Sequence, residues 1–386
     1  MGFSKIISGL GLSALLASGV AFSSTADAQQ FRFALGFPSG TDATYGANIY
    51  AEKVAEYSDG ELSVRVFPLS LLNFAETSAG VRDGIADIGY MLTPYFPQEF
   101  PHINMLAEAS MMLTLMDDVD WGTESYAYTG ALLEYVMKHC PECHEEFARQ
   151  NQVFTGTAHS PPYILQCTSP VRTVEELRGK RIRVGGAQWS RWAEGLRATP
   201  ASISVNEAFE ALQQGVVDCI AISAPELINF GLVDAVTDIT MGVPGGLFAG
   251  VGTTNFNRDT WQSLNDEQRG ILLRAAADIS GIVTYRYAQG QYTAIDEAKA
   301  KGATIHEADE SLLEATREFT RKDLDSMAEH YRERHGVQRG EEMISAMREL
   351  LEKWKGLVAD IEDGEQLAQL YWDEVLSEIN PAEHGM

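Results

Sequence analysis

Short apolar runs and segments of helical period take turns along much of this chain, and that alternation limits its fold more than any other feature. Residues 31–37 (Phe31-Arg32-Phe33-Ala34-Leu35-Gly36-Phe37) alternate and then break at Pro38-Ser39-Gly40, which predicts a strand and its loop. Apolar residues recur at helical spacing over 44–57, and Asp59-Gly60 ends that helix. A second strand follows over 61–67 and closes at Pro68. A helix over 77–82, a turn at Asp83-Gly84 and a strand over 86–90 complete the first series. A second series places strands at 153–157 and 163–167 and a short helix at 174–177. The strand 181–184 then ends at Gly185-Gly186. A helix over 190–196, an extended stretch over 202–205, a helix capped by Asn206 and a strand over 216–222 follow. Strands separated by helices cannot pair as hairpins, so the expected class is α/β with parallel strands. From Asn265 to about residue 300 the chain reads as one long helix or two end to end. Residues 309–333 and 340–379 are helical, charged and amphipathic.

A length of 386 residues exceeds one ordinary core and fits two domains, and a 45% hydrophobic fraction excludes general disorder. The net charge of −26 excludes nucleic acid, which needs basic stripes, and argues against docking on anionic lipid. An anionic ligand would be repelled by the protein as a whole, so a local positive group would have to hold it. At the N-terminus, Lys5 precedes an apolar run over 6–22, and Ala26-Asp27-Ala28 precedes Gln29. Basic, apolar and A-x-A regions in that order are a secretory signal peptide over 1–28, cleaved after Ala28. The run is short and Gly-rich for a helix that spans a bilayer. The expected location is the periplasm.

No G-x-S-x-G, H-E-x-x-H, Walker or dinucleotide motif is present, so no catalytic residue is assigned. His159, in a Ser-Pro loop, reads as a hydrogen-bonded structural residue. Cys140-Pro141-Glu142-Cys143-His144 matches the c-type haem attachment string. A zinc site would need more ligands, and Cys167 and Cys219 stand alone. Four cysteines in an oxidising compartment favour disulfides, with three full pairings open. The expectation leans toward a bridge from the Cys140/Cys143 turn to Cys167, which leaves Cys219 buried and free. No metal or other cofactor is expected.

Four blocks carry a family resemblance. They are 51–68 (from Ala51-Glu52-Lys53-Val54 to Val66-Phe67-Pro68) and 81–90 (VRDGIADIGY). The others are 174–184 (VEELRGKRIRV) and 207–218 (EAFEALQQGVVD). In this order and spacing the chain resembles the solute receptors of TRAP (tripartite ATP-independent periplasmic) transporters, the C4-dicarboxylate-binding type, over about 31–384. The resemblance implies a two-lobe periplasmic binding protein of type II-like architecture. It also implies a long lobe-spanning helix from Asn265 and a helical C-terminal extension. The expected division is 29–157 plus 256–297 for lobe 1, 158–255 plus 298–340 for lobe 2, and 341–386 for the extension, with hinging near Ala158 and Asn255. The helices after Gly340 would wrap the second lobe or meet a second copy.

The resemblance further implies a carboxylate held by an arginine, here Arg183. A guanidinium fork matches a carboxylate with two charge-assisted hydrogen bonds. Gly185 and Gly186 let backbone approach the ligand. Sialic-acid-type members carry further arginines at positions that fall near Tyr95 and Tyr163, with Trp189 and Trp192 close by. One cation among aromatic walls suits a compact or aromatic monoanion better than a sugar acid or dicarboxylate. The expected substrate-binding set is therefore Arg183, Tyr163, Trp189, Tyr95 and Gly186. The expected partners are a small organic anion and the membrane subunits of a TRAP transporter, with no nucleic acid and no direct lipid binding. The alternative is an exported c-type haem or redox protein built on Cys140-x-x-Cys143-His144. A haem string is a single short match in a chain that the receptor resemblance covers nearly end to end.

Overall fold

The computed structural model describes residues 1–2, 29–116 and 122–386. The expected leader, apart from its first two residues, lies outside them. Eleven strands are described: β1 (Gln29–Leu35), β2 (Leu62–Pro68), β3 (Ile88–Leu92), β4 (Gln152–Val153), β5 (Ile164–Cys167), β6 (Arg181–Val184), β7 (Thr199–Ser202), β8 (Cys219–Ile222), β9 (Asp238–Pro244), β10 (Val251–Asn257) and β11 (Thr304–Glu307). They form two sheets, β2-β1-β3-β10-β4 and β11-β9-β5-β8-β6-β7. In β1 the buried Phe31, Phe33 and Leu35 alternate with Arg32, whose guanidinium leaves the core to pair with Asp87 at 2.9 Å. The helix Asp42–Tyr57 carries the chain back so that β1 and β2 pair in parallel.

Both sheets are mixed rather than wholly parallel. β10 runs antiparallel to β3, and β5 runs antiparallel to β8 and β9. Each of these strands is the one by which the chain enters a sheet from the other lobe, so it arrives in the reversed direction. The two crossings occupy 154–163 and 245–250. Residue 255 therefore does not lie at a crossing: Asn255 sits inside β10, opposite Gly89, and β10 belongs to the first sheet. The expected strand over 153–157 is ordered only at β4, because the chain there is already leaving the sheet.

The long helix Asp266–Ala300 has 35 residues and starts with a capping box between Asn265 and Gln268. It leaves the first sheet's strand β10 and delivers the chain to β11 in the second sheet, so it spans both lobes. Many of its buried residues are small, among them Ala275, Ala276, Ala277, Gly281 and Ala288. A Cβ on Gly281 would sit 2.3 Å from the Ala368 backbone nitrogen, and one on Gly46 would sit 2.2 Å from Val283. Those glycines let the helices Gly364–Glu374 and Asp42–Tyr57 press against it. The C-terminal helices Gly340–Leu357 and Gly364–Glu374 cover the helix Glu124–His139 and the long helix, not the second lobe. Among the described residues, no helix is long and apolar enough to cross a membrane.

The cysteines pair as Cys140–Cys143 and Cys167–Cys219, and no described cysteine is free. The expected bridge from the Cys140/Cys143 turn to Cys167 is corrected. Cys167 ends β5 directly opposite Cys219 on β8, so the antiparallel register brings those two together. Cys140 caps the helix Pro141–Arg149, and its sulfur accepts from the Cys143 backbone nitrogen at 3.2 Å. Both sulfurs of the CPECH segment are thus consumed by each other.

Candidate ligand-binding site

Ligands in open α/β sheets collect at the carboxyl ends of the strands. Here those ends from both lobes face one cavity. Phe37 follows β1, Tyr90 and Leu92 lie at the end of β3, Arg183 lies on β6, and Ser223 and Glu226 follow β8. The long helix adds Val283 and Tyr287, and the crossings add Ala158, His159, Ser160, Tyr163 and Phe248. The cavity is tight, with a volume of about 50 Å³.

Arg183 is 1% exposed. Its Nε donates to the Ile203 carbonyl at 2.8 Å and its Nη2 to the Tyr95 hydroxyl at 3.0 Å. Tyr95 belongs to the first lobe, and its hydroxyl oxygen also accepts from the Val205 backbone nitrogen of the second lobe at 2.9 Å. Asn206 Nδ2 donates to the Gly36 carbonyl at 2.9 Å, again across the cleft. These bonds hold the lobes shut over the cavity. Among the described residues no carboxylate lies within ion-pair distance of Arg183, although the cavity wall carries an acid, Glu226. Burial pushes the Glu226 carboxyl up to about 8, and the charge of Asp42 adds to this, so the group is protonated at neutral pH. A buried cation without a counter-ion is expensive, and an incoming anion would relieve that cost. Arg181, two residues earlier, is exposed and pairs with Asp218 at 2.7 Å.

The aromatic wall is layered. Tyr163 stacks on Trp189 with ring centroids 3.9 Å apart and planes 10° apart, and Phe248 lies nearly coplanar with both at 6.2 Å. Tyr163 and Phe248 face the cavity. Trp189 is fully buried behind Tyr163, with its indole nitrogen donating to the Gly245 carbonyl at 2.9 Å. The structure thus brings Arg183, Tyr95 and Tyr163 together on the cavity and places Trp189 one layer back. Trp192 lies in the core and donates to Thr316 Oγ1 at 3.1 Å. Gly186 caps the helix Ala187–Gly195 and faces a neighbouring surface groove with Tyr95. Gly185 is the closer one: a Cβ there would stand 3.3 Å from Arg183 Nη1 and 3.3 Å from Phe248.

His159 lines the cavity with both ring nitrogens engaged, by Thr129 at 3.0 Å and Thr157 at 3.1 Å. Burial lowers its pKa to about 3, so it is a neutral wall element. Sequence reasoning missed Glu226, Ser223, Tyr287, Tyr90 and Phe248. Only Glu226 carried a signal, as an acid just beyond the apolar strand β8. Among the described residues no group of His, Cys, Asp and Glu side chains could hold a metal ion.

Residues 33–330 match the family model for bacterial extracellular solute-binding protein, family 7 (DctP). The outer membrane transporter protein TsaT of Comamonas testosteroni is 23% identical over 272 residues, which is 68% of this chain and 75% of that protein. A solved marine metagenome TRAP solute-binding protein in complex with metahydroxyphenylacetate superposes with a TM-score of 0.72 at 21% identity, covering 84% of this chain and 99% of that one. A TRAP periplasmic solute-binding protein from Bordetella bronchiseptica, with bound (R)- and (S)-mandelate, gives 0.70 at 20% identity over 84% and 99%. One from Rhodoferax ferrireducens with copurified benzoate gives 0.71 at 17% identity over 86% and 99%. The family and the solved relatives are solute-binding proteins, not enzymes, and nothing supports the haem alternative. The match spans well over half of the sequence, and the chain belongs to family 7 of the bacterial extracellular solute-binding proteins, as a receptor rather than an enzyme.

Proposed function

We propose that this receptor captures a small organic monocarboxylate with a flat apolar body and hands it to the membrane subunits of a TRAP transporter. The observation that carries the reading is Arg183, a buried guanidinium with no anionic partner among the described residues, in a cavity walled by Tyr163, Phe248, Tyr90 and Phe37. A carboxylate would take the free side of the fork, and the ring faces would take the apolar remainder. Three fold relatives hold mandelate, metahydroxyphenylacetate and benzoate, which agrees with such a ligand. With one cation, the cavity disfavours a dicarboxylate. Capture works by closure: Tyr95 bonds to both Arg183 and Val205 only when the lobes meet. The two crossings are where motion between the lobes would concentrate.

The work is done in the periplasm after cleavage behind Ala28, a reading that the basic, apolar and A-x-A order of the N-terminus supports; an intact mass starting at Gln29 tests it, and a retained Met1 sinks it. Thermal-shift screening against benzoate, mandelate, pyroglutamate, galacturonate and succinate tests the ligand class, since a bound ligand stabilises by mass action. Stabilisation by benzoate or mandelate, and not by galacturonate or succinate, is expected. Stabilisation by succinate alone would refute the reading.

A further inference from the structure

Arg183 accounts for one part of the cavity, and three other polar groups face it with hydrogen-bonding capacity left unfilled. Ser223 and Glu226 stand on the short stretch after β8, and Tyr287 stands on the long helix. They are 1%, 7% and 5% exposed. Ser223 Oγ, Glu226 Oε2 and the Tyr287 hydroxyl make no well-formed hydrogen bond, although the Glu226 carboxyl stands near enough to the Tyr287 hydroxyl and the Asn229 amide to interact weakly with both. Native proteins pair nearly all their buried polar atoms. Three orphans on one wall of one ligand cavity mark a place where the ligand supplies the partners.

We propose that Ser223, Glu226 and Tyr287 form a second polar subsite that receives an uncharged hydroxyl group of the ligand, so that the preferred cargo is a hydroxylated carboxylate. The proposal rests on the reading that Arg183 takes the carboxylate. A ligand hydroxyl has one hydrogen to give and two lone pairs to fill. Two protein hydroxyls and a carboxylic acid can each donate and accept, so they match it, whereas a bare ring would leave all three unsatisfied. The subsite is neutral because Glu226 is buried and lies beyond ion-pair distance of Arg183, and its carboxyl holds its proton to about pH 8. The groups that act on Glu226 are Asp42 from the helix Asp42–Tyr57, Tyr90 from β3, Tyr163, Arg183 from β6, and Tyr287 with Asn229 beside it. Asp42 is itself paired with Arg286 at 2.8 Å. No cation reaches Glu226 closely enough to hold it ionised. A site built to hydrogen-bond a hydroxyl discriminates strongly against the analogue that lacks it, because its own groups are then left unpaired.

The test is calorimetric titration of the parent, Glu226→Gln, Glu226→Ala and Arg183→Ala with matched pairs: benzoate against each hydroxybenzoate isomer, and phenylacetate against mandelate. In the parent, at pH 7, the better-fitting hydroxylated member is expected to bind at least about tenfold more tightly than its plain partner. Its advantage should shrink as the pH rises past about 8, where Glu226 loses its proton. Glu226→Gln, isosteric and unable to ionise, should keep the preference and remove its pH dependence. Glu226→Ala should bind both members of each pair alike. Equal binding of both members by the parent, or a preference that survives Glu226→Ala, overturns the subsite while leaving the carboxylate reading intact. Tighter binding of 3-(aminomethyl)benzoate than of 3-hydroxybenzoate overturns the neutral subsite in favour of a cation site. Parent-like binding by Arg183→Ala, or no binding of any pair by the parent, overturns the carboxylate reading and the subsite with it.

Discussion

Replacing Arg183 with methionine separates two roles that a buried arginine can have. In the ligand-free protein with its lobes apart the guanidinium keeps its hydrogen bond to the Ile203 carbonyl within its own lobe, and the bond to the first-lobe Tyr95 hydroxyl forms only on closure. A bond from a charged donor contributes about 1.5–3 kcal/mol. Against it stands the effective cost of burying an unpaired ion, several kcal/mol in full and less in an open cleft. The two quantities nearly cancel, so Arg183→Met should leave the urea midpoint of the empty protein almost unchanged. Ligand binding should respond differently. Truncating one partner of a buried charged pair costs about 2–5 kcal/mol, roughly 30-fold to several thousand-fold in affinity. Arg183→Lys should recover only part, because an ammonium cannot present the paired fork. Arg178→Ala is the control, since Arg178 is exposed and only 3.8 Å from Glu175, a surface pair of little consequence. The assay is calorimetric titration of the four proteins with a carboxylate that stabilises the parent, beside urea unfolding of each without ligand. Parent-like affinity in Arg183→Met would refute the assignment. A large loss of stability in the empty variant would make the guanidinium a structural strut.

Three further outcomes are expected. Small-angle scattering should show a smaller radius of gyration with ligand than without, and Tyr95→Phe should weaken that compaction because its hydroxyl bonds to Arg183 and to the Val205 nitrogen; identical profiles with and without ligand would count against closure. Removing the Cys167–Cys219 bridge, which spans 52 residues of chain, should cost about 4 kcal/mol in urea unfolding, far more than removing the three-residue Cys140–Cys143 loop, and similar losses would mean that loop entropy does not control either. Burial lowers the pKa of His144, of His159 to about 3 and of His384 to about 4; the unfolded chain binds protons below about pH 6.5 that the native protein refuses, so urea midpoints should fall as pH drops from 6.5 toward 4, and a flat profile would refute the burial of neutral imidazoles.

The α/β class and the strands near 31, 62, 88, 164 and 181 were legible because each is a short apolar run bounded by Gly, Pro or Asp. The helix Glu124–His139 was not, because it is buried on nearly all sides and its sequence shows no polar stripe at helical period. The last two strands of the sheet-to-sheet return, β9 and β10, also went unread. β10 is buried at every position, so it lacks the alternation that marks a half-exposed strand. At the site, Arg183 was reached through the family resemblance of its strand block, because by residue type alone it does not differ from Arg181, which the structure pairs with Asp218 on the surface. Trp189 was placed in the pocket by its neighbourhood in sequence, but a ring on a helix one layer behind the crossing cannot be distinguished from one in front by spacing alone. Glu226, Ser223 and Tyr287 meet only through the fold, from two segments some 60 residues apart. The Cys167–Cys219 bridge followed from a strand register that composition does not encode.

The long helix acts as a ruler as well as a rod. Its 35 residues span about 50 Å, and each one adds about 1.5 Å of rise and 100° of rotation. Its Gly281 is docked on the helix Gly364–Glu374, and six residues further on its Tyr287 faces the cavity. A single residue inserted between those two points would swing Tyr287 about a quarter turn off the cavity floor while leaving the docking in place. Length changes in this lineage should therefore accumulate in the surface loops and be excluded from this one segment, even where its side chains drift.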